Sequence, residues 1–193
     1  MSRGRRIQCL CPPWAYCRTG VKDGEDNREV TLKFRRENLL YDIRNYAFIG
    51  SHVMGDDLEH IKHSLADIGE EGNVNRVNRL LALVFSYVEQ VCEDILADKQ
   101  KNFVEEVVID HLEIPNEYRL DLSVPKEMTG TAVRYLSNLI HELLVYRAMY
   151  DWLTMVYPQG AQVWLVKCVE LEEEIDELIN SKNKVDVRPM HPW

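Results

Sequence analysis

The sequence TAVRYLSNLIHELLVYRAMYDWLTMVY, residues 131–157, decides the fold class. Apolar side chains recur in it every three or four residues and cover more than one face of the helix that this spacing predicts. A helix that is apolar nearly all round lies at the centre of a core or in an interface. We therefore expect a mainly α-helical protein built around this segment. Arg147 and Asp151 are four residues apart and are expected to pair within the helix.

The segments on both sides also have helical periodicity. Residues 157–160, Tyr-Pro-Gln-Gly, predict a break, and residues 161–179 predict a closing helix with an acidic outer face. Upstream, a short helix is expected to begin near residue 35 and to end before Gly50. A second helix is expected from Asp56 to Gly69, and a long one from Gly72 to about Leu96. Together these segments predict a helical bundle.

Residues 103–124 have a different pattern, which predicts a short antiparallel β ribbon. Tyr118, Leu120 and Leu122 alternate with polar residues, as in a half-buried strand, and the β-branched residues within 104–109 supply a second strand. A two-stranded ribbon is marginally stable unless it packs on something else. We therefore expect this ribbon to contact a neighbouring subunit through those three side chains.

Composition divides the chain into three parts. Residues 1–34 are rich in glycine, proline and charge and predict a basic, irregular N-terminal arm. Residues 35–181 predict the helical body with its ribbon, and residues 182–193 a C-terminal tail that ends at Trp193. The length of 193 residues allows one domain with a substantial core. The expected fold is thus a helical bundle with a short β ribbon and extended N- and C-terminal arms.

Charge is distributed unevenly along the chain. The formal net charge is −9, but the first 36 residues hold nine basic and four acidic residues and carry +5. Such an arm can contact DNA non-specifically, can bind the acidic surface of a neighbouring copy, or can serve solubility alone. We expect Arg35 and Arg36 to contact Glu172 and Glu173 on the acidic helix of a neighbouring copy. The acidic body disfavours DNA binding by the protein as a whole.

The apolar runs and the cysteines limit which cellular compartment the protein can belong to. No apolar run approaches the ~18 residues that span a bilayer, and the first residues lack the apolar stretch of a signal peptide. We expect an intracellular or virion-borne soluble protein without membrane contact and without disulfides. Cys9, Cys11 and Cys17 could supply three thiolates to zinc, but structural zinc sites usually have four ligands. Cys92 and Cys168 fit small buried side chains.

The histidines and nucleophiles form no recognisable catalytic motif. His60 and His63, three residues apart, could share a metal with nearby carboxylates, but a solvated helix face accounts for them better. His141-Glu142 begins like a zinc-protease signature, yet Val145 stands where the second histidine belongs. Phosphate-binding, dinucleotide-binding and serine-hydrolase motifs do not occur in the sequence. We expect no catalytic residue, no metal and no cofactor, and hence a protein that is not an enzyme.

Three stretches of the body resemble a group of small, uncharacterised proteins from phages and prophages of gut Bacteroidetes. They are LLYDIRNYAF at 39–48, DIGEEGNVNRV at 67–77, and LIHELLVYR at 139–147 with Asp151-Trp152. The resemblance covers residues 37–180 and carries no catalytic motif. The order of helices, ribbon and closing helices also resembles the head–tail connector (adaptor) proteins of tailed phages, rings beneath the portal that grip neighbours with arms and tails. That second likeness is architectural.

The resemblance implies a structural virion protein, a neck or head–tail connector component that forms a homo-oligomeric ring between portal and tail. Its expected partners are copies of itself, the portal protein, and tail or neck proteins, with a stage in the host cytoplasm before assembly. The expected inter-subunit or partner contacts are Arg35, Arg36, Tyr118, Leu120, Leu122, Glu172, Glu173 and Trp193. The alternatives are a tail-completion or tail-terminator protein, a monomeric intracellular helical adaptor, and a helical hydrolase that uses His60 and His63.

Overall fold

The structure, a computed structural model, describes residues 27–53, 59–101 and 114–182. Its described part is mainly helical with one two-stranded antiparallel sheet, which confirms the expected fold class. The elements in chain order are β1 (Asn27–Arg35), α1 (Arg36–Val53), α2 (Glu59–Ala66), α3 (Glu71–Val91), α4 (Asp98–Lys101), β2 (Glu117–Pro125), α5 (Gly130–Val156) and α6 (Pro158–Lys182). Short 3₁₀ turns at Asp67–Gly69 and Glu93–Ile95 follow α2 and α3.

Helix α5 is the central element, as its sequence predicts. Thr129 begins the helix as its N-cap, because its backbone is extended and its hydroxyl oxygen accepts the amide of Ala132 at 3.2 Å. Ten of its apolar side chains are buried, on more than one face. They are Leu136, Leu139, Ile140, Leu143, Leu144, Val145, Ala148, Met149, Trp152 and Leu153.

Helices α5 and α6 meet at a junction of one residue. Tyr157 alone separates them, and α6 begins at Pro158 rather than at the expected Ala161. Proline suits a first helical position because the amide it lacks would have no intrahelical partner there. A Cβ atom at Gly160 would overlap the ring of Tyr157, so the tight junction requires glycine. The two long helices therefore pack closely side by side as a hairpin.

The β ribbon has a different partner strand from the one that the sequence predicts. β2 pairs with β1, from Asn27 opposite Pro125 to Arg35 opposite Glu117, and not with a strand in residues 104–109. The expected local hairpin at 103–124 is wrong for β2, and residues 102–113 lie outside the described part. β1, which is far from β2 in the sequence, is the partner because its inward residues add apolar area to the same core.

The sheet packs its inner face on the helices, and this overturns one predicted contact surface. Tyr118, Leu120 and Leu122 point inward and are at most 5% exposed. They belong to the core of their own chain, together with Leu32 and Phe34 of β1. A side chain buried on both sides has no area left for a neighbouring subunit, so these three residues are not a partner surface.

The structure also revises the limits of the predicted parts. Residues 27–34 form a strand instead of irregular chain, so the expected arm of 1–34 loses its last quarter to the body. Helix α1 continues through Gly50 to Val53, and α6 ends at Lys182. Residues 1–26 and 183–193, with the remainder of both expected arms, lie outside the described part. Within the described residues, no helix has the length and apolar character needed to cross a membrane.

Candidate interaction surface

Helix α1 carries large apolar side chains on the face opposite the core. Its inner face is Leu39, Ile43 and Ala47, all buried. On the outer face, Tyr41 is 69% exposed and Phe48 58% exposed, seven residues apart and hence on one side of the helix. Ile49 is half exposed beside them, and the ring of Phe48 lies 4.1 Å from that of His52. We call Tyr41, Phe48, Ile49 and His52 the α1 outer patch.

Helix α6 has a second outward apolar surface in its first half. Val163 and Val166 are 60% and 56% exposed, and Val169 is also exposed. The same outer side continues into Glu170, Glu173 and Glu177, all exposed. We call the three valines the α6 outer patch. Sequence periodicity contains the signal for both outer patches, because their members lie off the core stripes of the two helices.

An aromatic cluster fixes α1 against the α5–α6 hairpin. The rings of Tyr46, Tyr146 and Trp164 contact one another edge-on, with centroids 5.3 to 5.6 Å apart. The ammonium of Lys167 lies 5.1 Å from the ring centre of Tyr146 and 4.8 Å from that of Trp164. Edge-on rings and a cation over their faces are both favourable electrostatic arrangements. The cluster therefore joins α1, which carries one outer patch, to α6, which carries the other.

Polar links between α1 and α5 lie next to the aromatic cluster. Asp42 Oδ2 lies 2.8 Å from His141 Nε2, and the hydroxyl of Tyr46 donates to Glu142 Oε2 at 3.3 Å. Burial, with the neighbouring Tyr46 hydroxyl and Glu142 carboxylate, raises the pKa of Tyr146. The phenol of Tyr146 therefore stays neutral at physiological pH. His141, considered above as a protease-like residue, is here a link between helices.

A second polar cluster lies where α3, α5 and α6 meet. The guanidinium of Arg147 lies over the rings of Tyr87 and Tyr150, at 5.0 and 5.3 Å, and its Nε is 4.0 Å from Asp151 Oδ1. The predicted pairing of Arg147 with Asp151 is confirmed. Burial raises the pKa of Asp151 although Arg147 opposes the shift. Burial also raises the pKa of the Cys168 thiol to about 12, so this cluster supplies no thiolate nucleophile near neutral pH.

The remaining predicted contact residues separate into outward and inward ones. Arg35 and Glu173 are exposed. Arg36 and Glu172 are half-buried, and each holds a buried polar atom, Nε and Oε1, without a hydrogen-bond partner. Glu172 lies beside the hydroxyl of Tyr87. Burial, and then this carboxylate, raise the pKa of Tyr87. Only the outward pair therefore remains suited to a contact between copies; Trp193 lies outside the described part.

Within the described part of the chain, side chains that could bind a metal or act in catalysis do not cluster. His60 and His63 are exposed on α2, and no three His, Cys, Asp or Glu side chains within the described ranges converge as metal ligands would. An open pocket beside α3 is lined by Ala82, Phe85, Ser86, Ile114, Pro115 and Tyr118. Its described lining includes no carboxylate, imidazole or amine. The outer patches are thus the better-defined functional feature.

No protein-family model, no curated protein and no solved structure matches this chain.

Proposed function

We propose that the protein is a structural virion protein that works by binding copies of itself and neighbouring virion proteins, as a neck or head–tail connector component does. One observation carries this proposal: both α1 and α6 present large apolar side chains on the faces opposite the core. Tyr41, Phe48, Val163 and Val166 are each more than half exposed. Helices that bury apolar residues on one face and expose them on the other have a second surface to cover.

Clustering distinguishes these side chains from ordinary exposed apolar residues. Single exposed leucines and valines are normal on protein surfaces, and Leu83 on α3, 65% exposed, is an example. Contiguous apolar area rimmed by polar residues is typical of an interaction site. In the α6 outer patch, three valines follow one another within two helical turns, and Glu170 and Glu173 lie at their edge. That composition resembles a protein interface with a polar rim.

Two different outer patches favour a repeated, directional contact. In a closed ring, each copy offers one surface to the next copy and receives the previous copy on another surface. The α1 and α6 outer patches belong to different helices and differ in chemistry, aromatic in one and aliphatic with a carboxylate rim in the other. The exposed Arg35 supplies a cation that can meet the carboxylate rim of a neighbour. Ring assembly uses all of these features together.

The direct test is the composition of virus particles. Nuclease-treated particles induced from the source organism are analysed by quantitative mass spectrometry, with the portal protein as the internal standard. The proposal predicts peptides of this chain in a fixed ratio to the portal. Absence from intact, infectious particles would overturn the virion assignment and would favour an intracellular adaptor. A particle reconstruction then separates the neck position from a tail-completion or terminator position.

A matched pair of variants tests the outer patches themselves. Val166→Ser is expected to lower incorporation into particles, or self-association of the purified chain, because it removes apolar area from the α6 outer patch. Leu83→Ser removes a similarly exposed apolar side chain outside both patches and is the control. Equal behaviour of the two variants would contradict a role for the patch. Circular dichroism of both variants establishes that neither effect reflects unfolding.

A further inference from the structure

The two long edges of the sheet are not equivalent. Along the edge of β2 away from β1, the amide of Ala97 donates to the carbonyl of Asp121 at 2.9 Å. The amide of Asp121 donates in turn to the side-chain oxygen of Gln100, also at 2.9 Å. That edge is therefore partly covered by the chain itself. Among the described residues, β1 pairs as a strand with β2 and with no other segment.

The register identifies which peptide groups of β1 face away from β2. The ladder continues one step past the strand, where the amide of Arg36 donates to the carbonyl of Asn116 at 3.0 Å. Hydrogen-bonded pairs alternate along antiparallel strands, so even-numbered residues of β1 direct their peptide groups toward β2. Those of Glu29, Thr31, Lys33 and Arg35 point outward. The outward peptide groups of Asp121 on the opposite edge follow the same alternation, which supports the assignment.

The sequence of β1 is complementary to itself in a register centred on Thr31. When two β1 strands run antiparallel with Thr31 opposite the partner's Thr31, Glu29 lies opposite the partner's Lys33, and Lys33 opposite the partner's Glu29. The residues placed opposite one another in this register are those whose peptide groups face outward. On the inner face, Val30 lies opposite the partner's Leu32, so the apolar sides of the two sheets join.

We propose that the outer edge of β1 binds the same edge of a second copy, about a two-fold axis at Thr31, to form one four-stranded antiparallel sheet. Main-chain hydrogen bonds supply the attraction, as in other strand-addition contacts, and two Glu29–Lys33 pairs stabilise the register centred on Thr31. Lys33 already binds Glu117 at 2.8 Å, and the partner's Glu29 adds a second carboxylate to that ammonium. The inference goes beyond the proposed function: it specifies a two-fold dimer that the chain forms in solution, before any assembly into particles.

Cysteine cross-linking tests the register directly. All variants carry Cys9, Cys11 and Cys17 replaced by serine, which leaves the buried Cys92 and Cys168. Directly opposite residues in a hydrogen-bonded pair have Cα atoms about 5.5 Å apart, within disulfide range. Thr31→Cys is therefore expected to form a covalent dimer under mild oxidation. In Lys33→Cys alone, the two cysteines lie four residues apart along the strands, about 14 Å, and should link at least roughly tenfold less.

A mixture provides the decisive arm. Glu29→Cys mixed with Lys33→Cys places the two cysteines opposite each other and should restore the covalent dimer, now as a heterodimer. Linking by Thr31→Cys and by the mixture, but not by Lys33→Cys alone, supports the inference.

Equal linking by all variants, or none at a concentration where the chain is dimeric by light scattering, overturns it, as does a strictly monomeric chain. Each of these results leaves the virion assignment to the particle experiment, so the two proposals fail separately.

Discussion

Asp42 Oδ2 lies 2.8 Å from His141 Nε2, and this contact joins two helices across 99 residues of sequence. Both side chains are partly exposed, at 37% and 25%, so solvent screens the interaction. A double-mutant cycle with Asp42→Ala and His141→Ala is expected to give a coupling energy of about 0.5–1 kcal/mol. Urea unfolding of the four proteins measures it. A coupling of zero would mean that this pair does not help to hold α1 against α5.

Leu120 provides the sharpest test of the sheet's inner face. Its side chain is fully buried, so Leu120→Ala is expected to lower the free energy of unfolding by about 2–5 kcal/mol. Leu83→Ala, at an exposed position of α3, should change it by less than about 0.5 kcal/mol. Chemical denaturation compares the two variants. If both variants lowered the free energy of unfolding by similar small amounts, Leu120 would not be buried in the core. It could then be the partner contact that the sequence pattern predicts.

Asp151 should make stability depend on pH in an unusual direction for a carboxylate. Burial raises its pKa above the ordinary 3.8, so the folded state holds the proton more tightly than the unfolded state. The stabilisation that the protonated Asp151 contributes to the folded state is fully present below its unfolded-state pKa of 3.8. It is lost as pH rises through the raised pKa of the folded state. The free energy of unfolding of wild type minus that of Asp151→Asn should therefore fall between pH 3 and pH 7. A rise would show that Arg147 outweighs burial.

Cys92 and Cys168 are expected to be unreactive in the folded protein. Burial raises the pKa of both thiols to about 12, and both side chains are buried. With Cys9, Cys11 and Cys17 replaced by serine, Ellman's reagent at pH 8 should titrate almost no thiol in buffer and two in guanidinium chloride. Rapid reaction of one thiol in buffer would reveal a local opening of α3 or α6.

Arg35 and Arg36 are adjacent but should respond differently to charge reversal. Arg35 is exposed, so Arg35→Glu is expected to weaken self-association while leaving the unfolding midpoint unchanged. Arg36 holds a buried Nε and lies near Tyr118, so Arg36→Glu buries a carboxylate and should lower the unfolding midpoint. Light scattering and thermal denaturation separate the two effects. Unchanged association in Arg35→Glu would remove this arginine from the contact surface.

Local periodicity predicted the helices well, because each helix buries an apolar stripe whose spacing is visible in its own sequence. Helix α5 extends over 130–156 where 131–157 was expected, and α3 over 71–91 where 72–96 was expected. The prediction that α1 ends before Gly50 was wrong, since one glycine costs only about 1 kcal/mol in a helix. Here α1 continues past it, with Gly50 against the side chain of Leu65.

Non-local pairing was beyond the sequence pattern. The alternation at Tyr118, Leu120 and Leu122 predicted β2, but nothing in it identified Asn27–Arg35 as the partner, because register depends on tertiary packing. For the same reason, a half-buried strand could not be assigned to its own core or to a neighbour. Glu172 was also misplaced: it belongs to an acidic run, yet its position on α6 turns it toward Tyr87.

The pairing of Thr31 with Asp121, 90 residues later, has a consequence for synthesis on the ribosome. At about 5–20 residues per second, β1 waits roughly 5 to 20 seconds for β2 to be made. During that interval it is a nascent strand with Val30, Leu32 and Phe34 on one side and without its native partner. The charges of Lys33 and Arg35 between and beside these residues are of the kind that discourages premature aggregation. Lys33, which binds Glu117 on the outer face of the finished sheet, is thus also placed to oppose aggregation of the growing chain.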